Sequence, residues 1–255
     1  MPSLAELEPA LPVLPTPADA QDTAQAPPVY ATQVPAPARL RFVAKVNGQT
    51  GSAVLDWQHD GQRYRATLRV LGPQRPLIEQ ESTGAFDAHG LAPERFVDRR
   101  RGRLVGAAHF RRDSARISFS GPQTDYPAWP GAQDRLAWLP QLVAVAAAAA
   151  NAAANAAASA QADSASAAPT EISLFVADAR GLARLWVFQA MGEDAVVTDG
   201  GSVPALRWLR APQRSDELRV EVWLDPARGH WPVRLVQTAP FSGAVVDLVR
   251  SEAPP

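Results

Sequence analysis

The chain has 255 residues, 46% of them hydrophobic, enough for a buried core in one large domain or two small ones. Its 25 Lys and Arg against 26 Asp and Glu leave a formal charge of -1, so no overall field gathers polyanions and any basic patch has to arise locally. Cysteine is absent, which excludes disulfides, thiol catalysis and thiolate metal sites.

Residues 1–38 hold nine of the 24 prolines and few aromatic or β-branched residues. This is the composition of an extended, solvated tether, suited to reaching a partner. Its opening, MPSLAELEPALPVLPTP, carries acids and prolines where a signal peptide has a basic segment and an apolar one, so no export signal is expected in the sequence as written. Nor does any run reach the roughly 18 to 20 uninterrupted apolar residues that a membrane-spanning helix requires.

At Arg39 the texture changes to alternation. In RLRFVAKV, Leu40, Phe42, Ala44 and Val46 point to one face, while Arg39, Arg41 and Lys45 point to the other. Asn47-Gly48 is a turn signal, followed by SAVLDWQ with Ala53, Leu55 and Trp57 inward. Asp60-Gly61 turns the chain into RYRATLRVL, with Tyr64, Ala66, Leu68 and Val70 inward. LIEQESTGAF, ERFVDRR, RLVGAAHFRR and RISFS continue the pattern, which is too dense for the long crossovers of a parallel sheet.

YPAWPG, from Tyr126 to Gly131, reads as a rigid loop, and Asp134 to Val145 as a helix with Pro140 as a kink or boundary. An alanine-rich run follows, whose first part has the propensity to stay helical and whose remainder reads as an expanded loop. Strands resume with EISLFVAD, ARLWVFQA, DAVVTD, SVPALRWLR, ELRVEVWLD, WPVRLVQT and AVVDLVR. In ELRVEVWL, Leu218, Val220, Val222 and Leu224 form the inward row and Trp223 faces out.

The predicted fold is mainly β: one strongly curved antiparallel sheet of about a dozen strands, open or a half barrel, with one helix inserted between two strand runs. It occupies residues 39–251, with the helix and alanine-rich insert at about 133–168.

Three stretches, TGAFDAHGLAPERFVDRRRGR, GAQDRLAWLPQL and VEVWLDPARGHWPVRLV, occur in the order found in an exported bacterial family classed as domain of unknown function 3108, in its β-proteobacterial form. The chain resembles that family over roughly residues 30–250. The resemblance implies an envelope location and a curved β-sheet, similar in outline to the lipoprotein-carrier half-barrels that shelter acyl chains. It supplies no catalytic residue, and the missing export segment and the alanine-rich insert depart from the family's pattern.

The residues add no catalytic constellation of their own. There is no G-x-S-x-G elbow. His59, His89, His109 and His230 lack metal-ligand spacing, and three of the four fall in turns. Glu79 with Glu81, and Glu217 with Glu221, share strand faces as an acid and base would, yet each pair lies opposite an apolar row, where charge is the default. No cofactor and no metal are expected.

Bulky aromatics on the inward rows suit a concave pocket for a hydrophobic or lipid-like ligand, lined by Trp57, Tyr64, Phe86, Trp186 and Phe188, with Trp138 and Leu139 on the helix as a lid. FVDRRRGR, from Phe96 to Arg103, reads as a hairpin turning at Arg101-Gly102, so Arg99, Arg100, Arg101 and Arg103 make a basic rim and not a nucleic-acid site, which would need stacking aromatics beside them.

Overall fold

A computed structural model describes residues 26–158 and 169–252. Residues 1–25 of the expected tether and 159–168 of the alanine-rich insert lie outside the described residues. Among the described residues fifteen strands form one open sheet. The first run is β1 (Ala38–Val46), β2 (Gln49–His59), β3 (Arg63–Leu71), β4 (Pro76–Asp87), β5 (Gly90–Arg100), β6 (Arg103–Arg111), β7 (Arg116–Phe119), β8 (Tyr126–Pro127) and β9 (Gln133–Asp134). Helix α1 (Trp138–Ala158) follows, then β10 (Glu171–Ala177), β11 (Ala183–Thr198), β12 (Gly201–Arg210), β13 (Arg219–Asp225), β14 (Trp231–Thr238) and β15 (Val245–Arg250).

Consecutive strands are antiparallel neighbours within β1–β8 and within β10–β15, β8 and β9 are the two edges, and β1 pairs with β15, so the chain's two arms are joined in the middle of the sheet. The one exception to antiparallel pairing is β9, which runs parallel to β10. Both this pairing and the two-residue strands β8 and β9 escape a pattern of period two, because two residues show no period.

The inward rows are those the alternation marks: in β3, Tyr64, Ala66, Leu68 and Val70 are buried and the intervening arginines exposed. Asn47-Gly48 and Arg101-Gly102 each place two successive residues at positive φ (49° and 82°, 53° and 77°), the twist that a two-residue hairpin turn needs. The arginine-rich stretch is therefore the β5–β6 tip.

The sheet curls until its end strands approach, and side chains, not a backbone ladder, bridge the seam. Ser82 Oγ on β4 donates to Asp134 Oδ2 on β9 at 2.5 Å, and Gln133 Nε2 donates to the Leu91 carbonyl at 2.8 Å. Tyr126 and Phe175 approach ring to ring at 6.3 Å. At Gly106 a Cβ would fall 2.1 Å from the Ala179 carbonyl oxygen, so β6 reaches the β10–β11 turn only because this residue has no side chain.

Helix α1 starts at this seam and fills the interior. Asp134 Oδ1 accepts from the Leu136 and Ala137 N–H groups, both at 2.8 Å, in place of the missing helical carbonyls. Pro140 falls in the first turn, where its absent N–H costs nothing, so the helix runs on to Ala158 and not merely to Val145. Its residues Trp138 to Ala146 are buried inside the sheet and most of the alanines beyond are exposed. By length and composition α1 is apolar enough to cross a membrane, a property that core helices share.

Gln141 ties the helix to the opposite rim, accepting from Leu91 N–H at 2.9 Å and donating to the His89 carbonyl at 2.8 Å. Gln141→Leu leaves both backbone groups unpaired, and urea denaturation should show a loss of about 1–3 kcal/mol.

Two departures from the sequence reading concern packing. Residues 29–37 are a strap, not tether: Tyr30 and Val34 pack on the core, Tyr30 Oη accepts from Ser173 N–H at 2.8 Å, and the Pro35 carbonyl accepts from Trp57 Nε1 at 2.9 Å. Trp223 does not face solvent; it is 6% exposed. The β11–β12 hairpin, shifted in register between Ala190 and Glu193, lays Val196 and Ala205 against Trp223 and Val233 as a second, smaller core. Arg207 and Arg234 stand 5.3 and 5.0 Å from the Trp223 ring, and its Nε1 donates to Asp194 at 3.0 Å.

Candidate functional site: an apolar cleft beside the helix

The six aromatics expected to line one pocket sort into two packed groups. Trp57, Tyr64 and Phe86 cluster with His59 and Trp231 beneath the strap, the Trp57 ring 5.2 Å from Tyr64 and 6.3 Å from Phe86. Trp138 stacks on Phe188 at 5.0 Å with Trp186 at 5.8 Å, so the helix residue expected to act as a lid is a core residue of the interior. The space between these groups is occupied by Leu139, Leu142 and Val143, all buried.

An open cleft of about 340 Å³ lies at the rim next to Gln141. Its walls are Leu91, Ala92 and Pro93 at the start of β5, Phe110 at the end of β6, and Ala128 and Trp129 from the YPAWPG loop. Asp87, His89 and Arg112 stand at its lip, Arg112 donating to Asp87 at 3.4 Å. The loop is held by Ala128 N–H on the Ala115 carbonyl at 2.9 Å and Ala132 N–H on the Trp129 carbonyl at 3.0 Å, with prolines on either side limiting its freedom. Trp129 Nε1 is buried and has no acceptor among the described residues. The cleft thus offers largely apolar walls, one of them the Trp129 ring whose buried Nε1–H lacks an acceptor, the composition of a site for an apolar molecule.

The sequence signal for this cleft was the aromatic between two prolines in a loop, which the search for inward strand aromatics passes over. A groove of similar size on the outer face of β2 and β3 is lined by Arg39, Asp56, Arg65 and Arg69. Two of its arginines are paired, Arg39 with Asp56 at 3.1 Å and Arg65 with Glu81 at 2.6 Å, as on an ordinary solvated face.

Beneath the helix start lies a buried polar chain, Tyr64 Oη to Ser82 Oγ at 3.0 Å and Ser82 to Asp134. Burial pushes the Asp134 carboxyl up to about 6, against the three hydrogen bonds that favour its charge. Burial likewise raises the Tyr64 phenol, helped by the Asp134 charge.

Glu217 and Glu221 are each committed to arginines. Glu217 is paired with Arg210 at 2.7 Å, and Glu221 with Arg219 at 2.9 Å and with Arg207. Burial acts to raise the Glu221 carboxyl, but these hydrogen bonds outweigh it and hold the group below its usual range. Among the described residues no three His, Asp or Glu side chains group as a metal site. At the β5–β6 tip Arg100 pairs with Asp98 at 2.9 Å, while Arg99, Arg101 and Arg103 are exposed.

A curled, nearly closed antiparallel sheet around one helix defines a β-barrel-like protein. The chain belongs to the protein family of unknown function DUF3108, whose model matches residues 40–249. Among solved structures it is similar to the β-barrel-like protein of domain of unknown function DUF1849 from Brucella abortus, with a TM-score of 0.50 and 14% identity over 88% of this chain and 97% of that one. A second match is MucB, with a TM-score of 0.28 and 15% identity over 93% of this chain and 59% of that one. No curated protein matches the chain.

Proposed function

We propose that this protein binds a hydrophobic or lipid-like ligand, without acting on it chemically, in the cell envelope. The observation that carries this reading is the cleft of about 340 Å³ under Trp129, apolar on its walls and holding a buried indole N–H without a partner. A fatty acyl group fits the apolar walls, and a turn of the Trp129 ring would bring its Nε1–H to the carbonyl or carboxyl oxygen. The rest of the interior is packed with side chains of α1, so the cleft, not the centre of the sheet, is the place for the ligand. The family resemblance supports the envelope location.

Protein purified without detergent should carry a lipid adduct by native mass spectrometry, and decanoic acid should displace a fluorescent apolar probe from it. Trp129→Ala should weaken decanoate about tenfold, the worth of one buried hydrogen bond plus lost ring contact. Ala128→Trp, which fills the cleft, should abolish displacement. An adduct-free protein that takes up no probe would overturn the reading.

A further inference from the structure

At the rim opposite the cleft, where β5 and β6 turn, a cavity of about 50 Å³ is lined by Trp186, three arginines (Arg135, Arg184, Arg210) and three carboxylates (Asp178, Asp216, Glu217). Its charges balance in number but are not all paired. Arg184 reaches Asp216 at 2.8 Å and Glu217 at 3.8 Å, and Arg210 takes Glu217 at 2.7 Å. Asp178 Oδ1 accepts from the Arg180 and Leu182 N–H groups at 2.7 and 3.0 Å.

Arg135 is left over. Its guanidinium lies 4.9 Å from the centroid of the Trp186 ring, and no carboxylate among the described residues is within ion-pairing distance. Arg210 lies 4.7 Å from the same ring, is 3% exposed, and its Nε has no acceptor. The carboxylates of Asp178 and Asp98 attract the Arg135 guanidinium from beyond ion-pairing distance, and Arg100 and Arg210 repel it. Burial brings Arg135 down to about 10, which leaves it fully charged at neutral pH.

We propose that this cavity binds a small oxyanion, a phosphate or carboxylate group, held by the Arg135 guanidinium, with Trp186 and Arg210 as its walls. An oxyanion placed there gives the Arg135 guanidinium the direct ion pair that it lacks among the described residues. The space is right for such a group: a water needs about 10–15 Å³ measured in the same way, so the cavity admits a few heavy atoms and not a lipid tail. This site is separate from the cleft under Trp129 and does not depend on it.

The experiment is isothermal titration of the full chain with sodium phosphate, sodium acetate and the water-soluble dihexanoyl phosphatidic acid, at constant ionic strength. Saturable binding of phosphate or acetate is expected, weakened about tenfold or more in Arg135→Gln, partly kept in Arg135→Lys and unchanged in Arg99→Gln. Tighter binding of the phosphatidic acid than of phosphate assigns the group to a lipid headgroup, and equal binding assigns it to a free anion. If neither anion binds saturably, or if Arg135→Gln binds as the parent does with an unchanged circular dichroism spectrum, the site is refuted.

Discussion

Asp134→Asn should be at least as stable as the parent chain at pH 7, and the difference should vanish near pH 4. The reason is the carboxyl's displacement from 3.8 to about 6 by burial at the seam. A folded state that holds its proton more tightly than the unfolded chain is favoured where the group is protonated in both, below about pH 4. That advantage is lost as pH rises through 6, and the shift corresponds to about 3 kcal/mol. The asparagine keeps Oδ1 as acceptor for Leu136 and Ala137, and its Nδ2 donates to Ser82 Oγ, which turns its own proton toward Tyr64. Urea denaturation of both proteins from pH 4 to 8 checks this, read as the difference between them, because lowered groups such as His230 and Glu221 tilt both curves the other way. A constant difference across that range would mean that Asp134 is ionised throughout.

Trp138→Ala should be the most damaging single change in the helix, costing about 3–5 kcal/mol. The side chain is 1% exposed, stacked on Phe188 and against Trp186, at the point where α1 enters the sheet. The void is walled by rings and aliphatic groups, so it should stay dry and take up indole, which restores part of the stability. Calorimetry with and without indole measures both effects. The same experiment shows how much of the sheet's interior a ligand reaches once the helix gives way, a point that separates binding in the cleft from binding in the core.

The inward rows of β1, β2 and β3 were legible residue by residue, since a strand with one wet face writes its burial into every second position. The hairpin at Arg101-Gly102 was legible for the same local reason. What failed to show was decided by partners far along the chain. Trp223 occupies an outward position of its own strand and is buried only because the β11–β12 hairpin folds across it. The strap looks like linker by composition, yet Tyr30 and Pro35 find Ser173 and Trp57. Aromatic residues on inward rows were a sound guide to the core and a poor guide to open space, because α1 occupies the volume between them. Trp129 lines the cleft from a loop, where periodicity has nothing to say.

The pairing of β1 with β15 also shapes how the fold can assemble. Every other antiparallel contact joins strands close in sequence, within two meanders that can form independently as local, fast-forming units. Phe42 lies beside Arg250, about 200 residues away, so this one ladder carries nearly the whole loop-closure entropy of the sheet. Zipping it brings the two halves together and, at the far side, sets Ser82 against Asp134. The last strands to meet are therefore the ones that stand in the middle of the finished sheet.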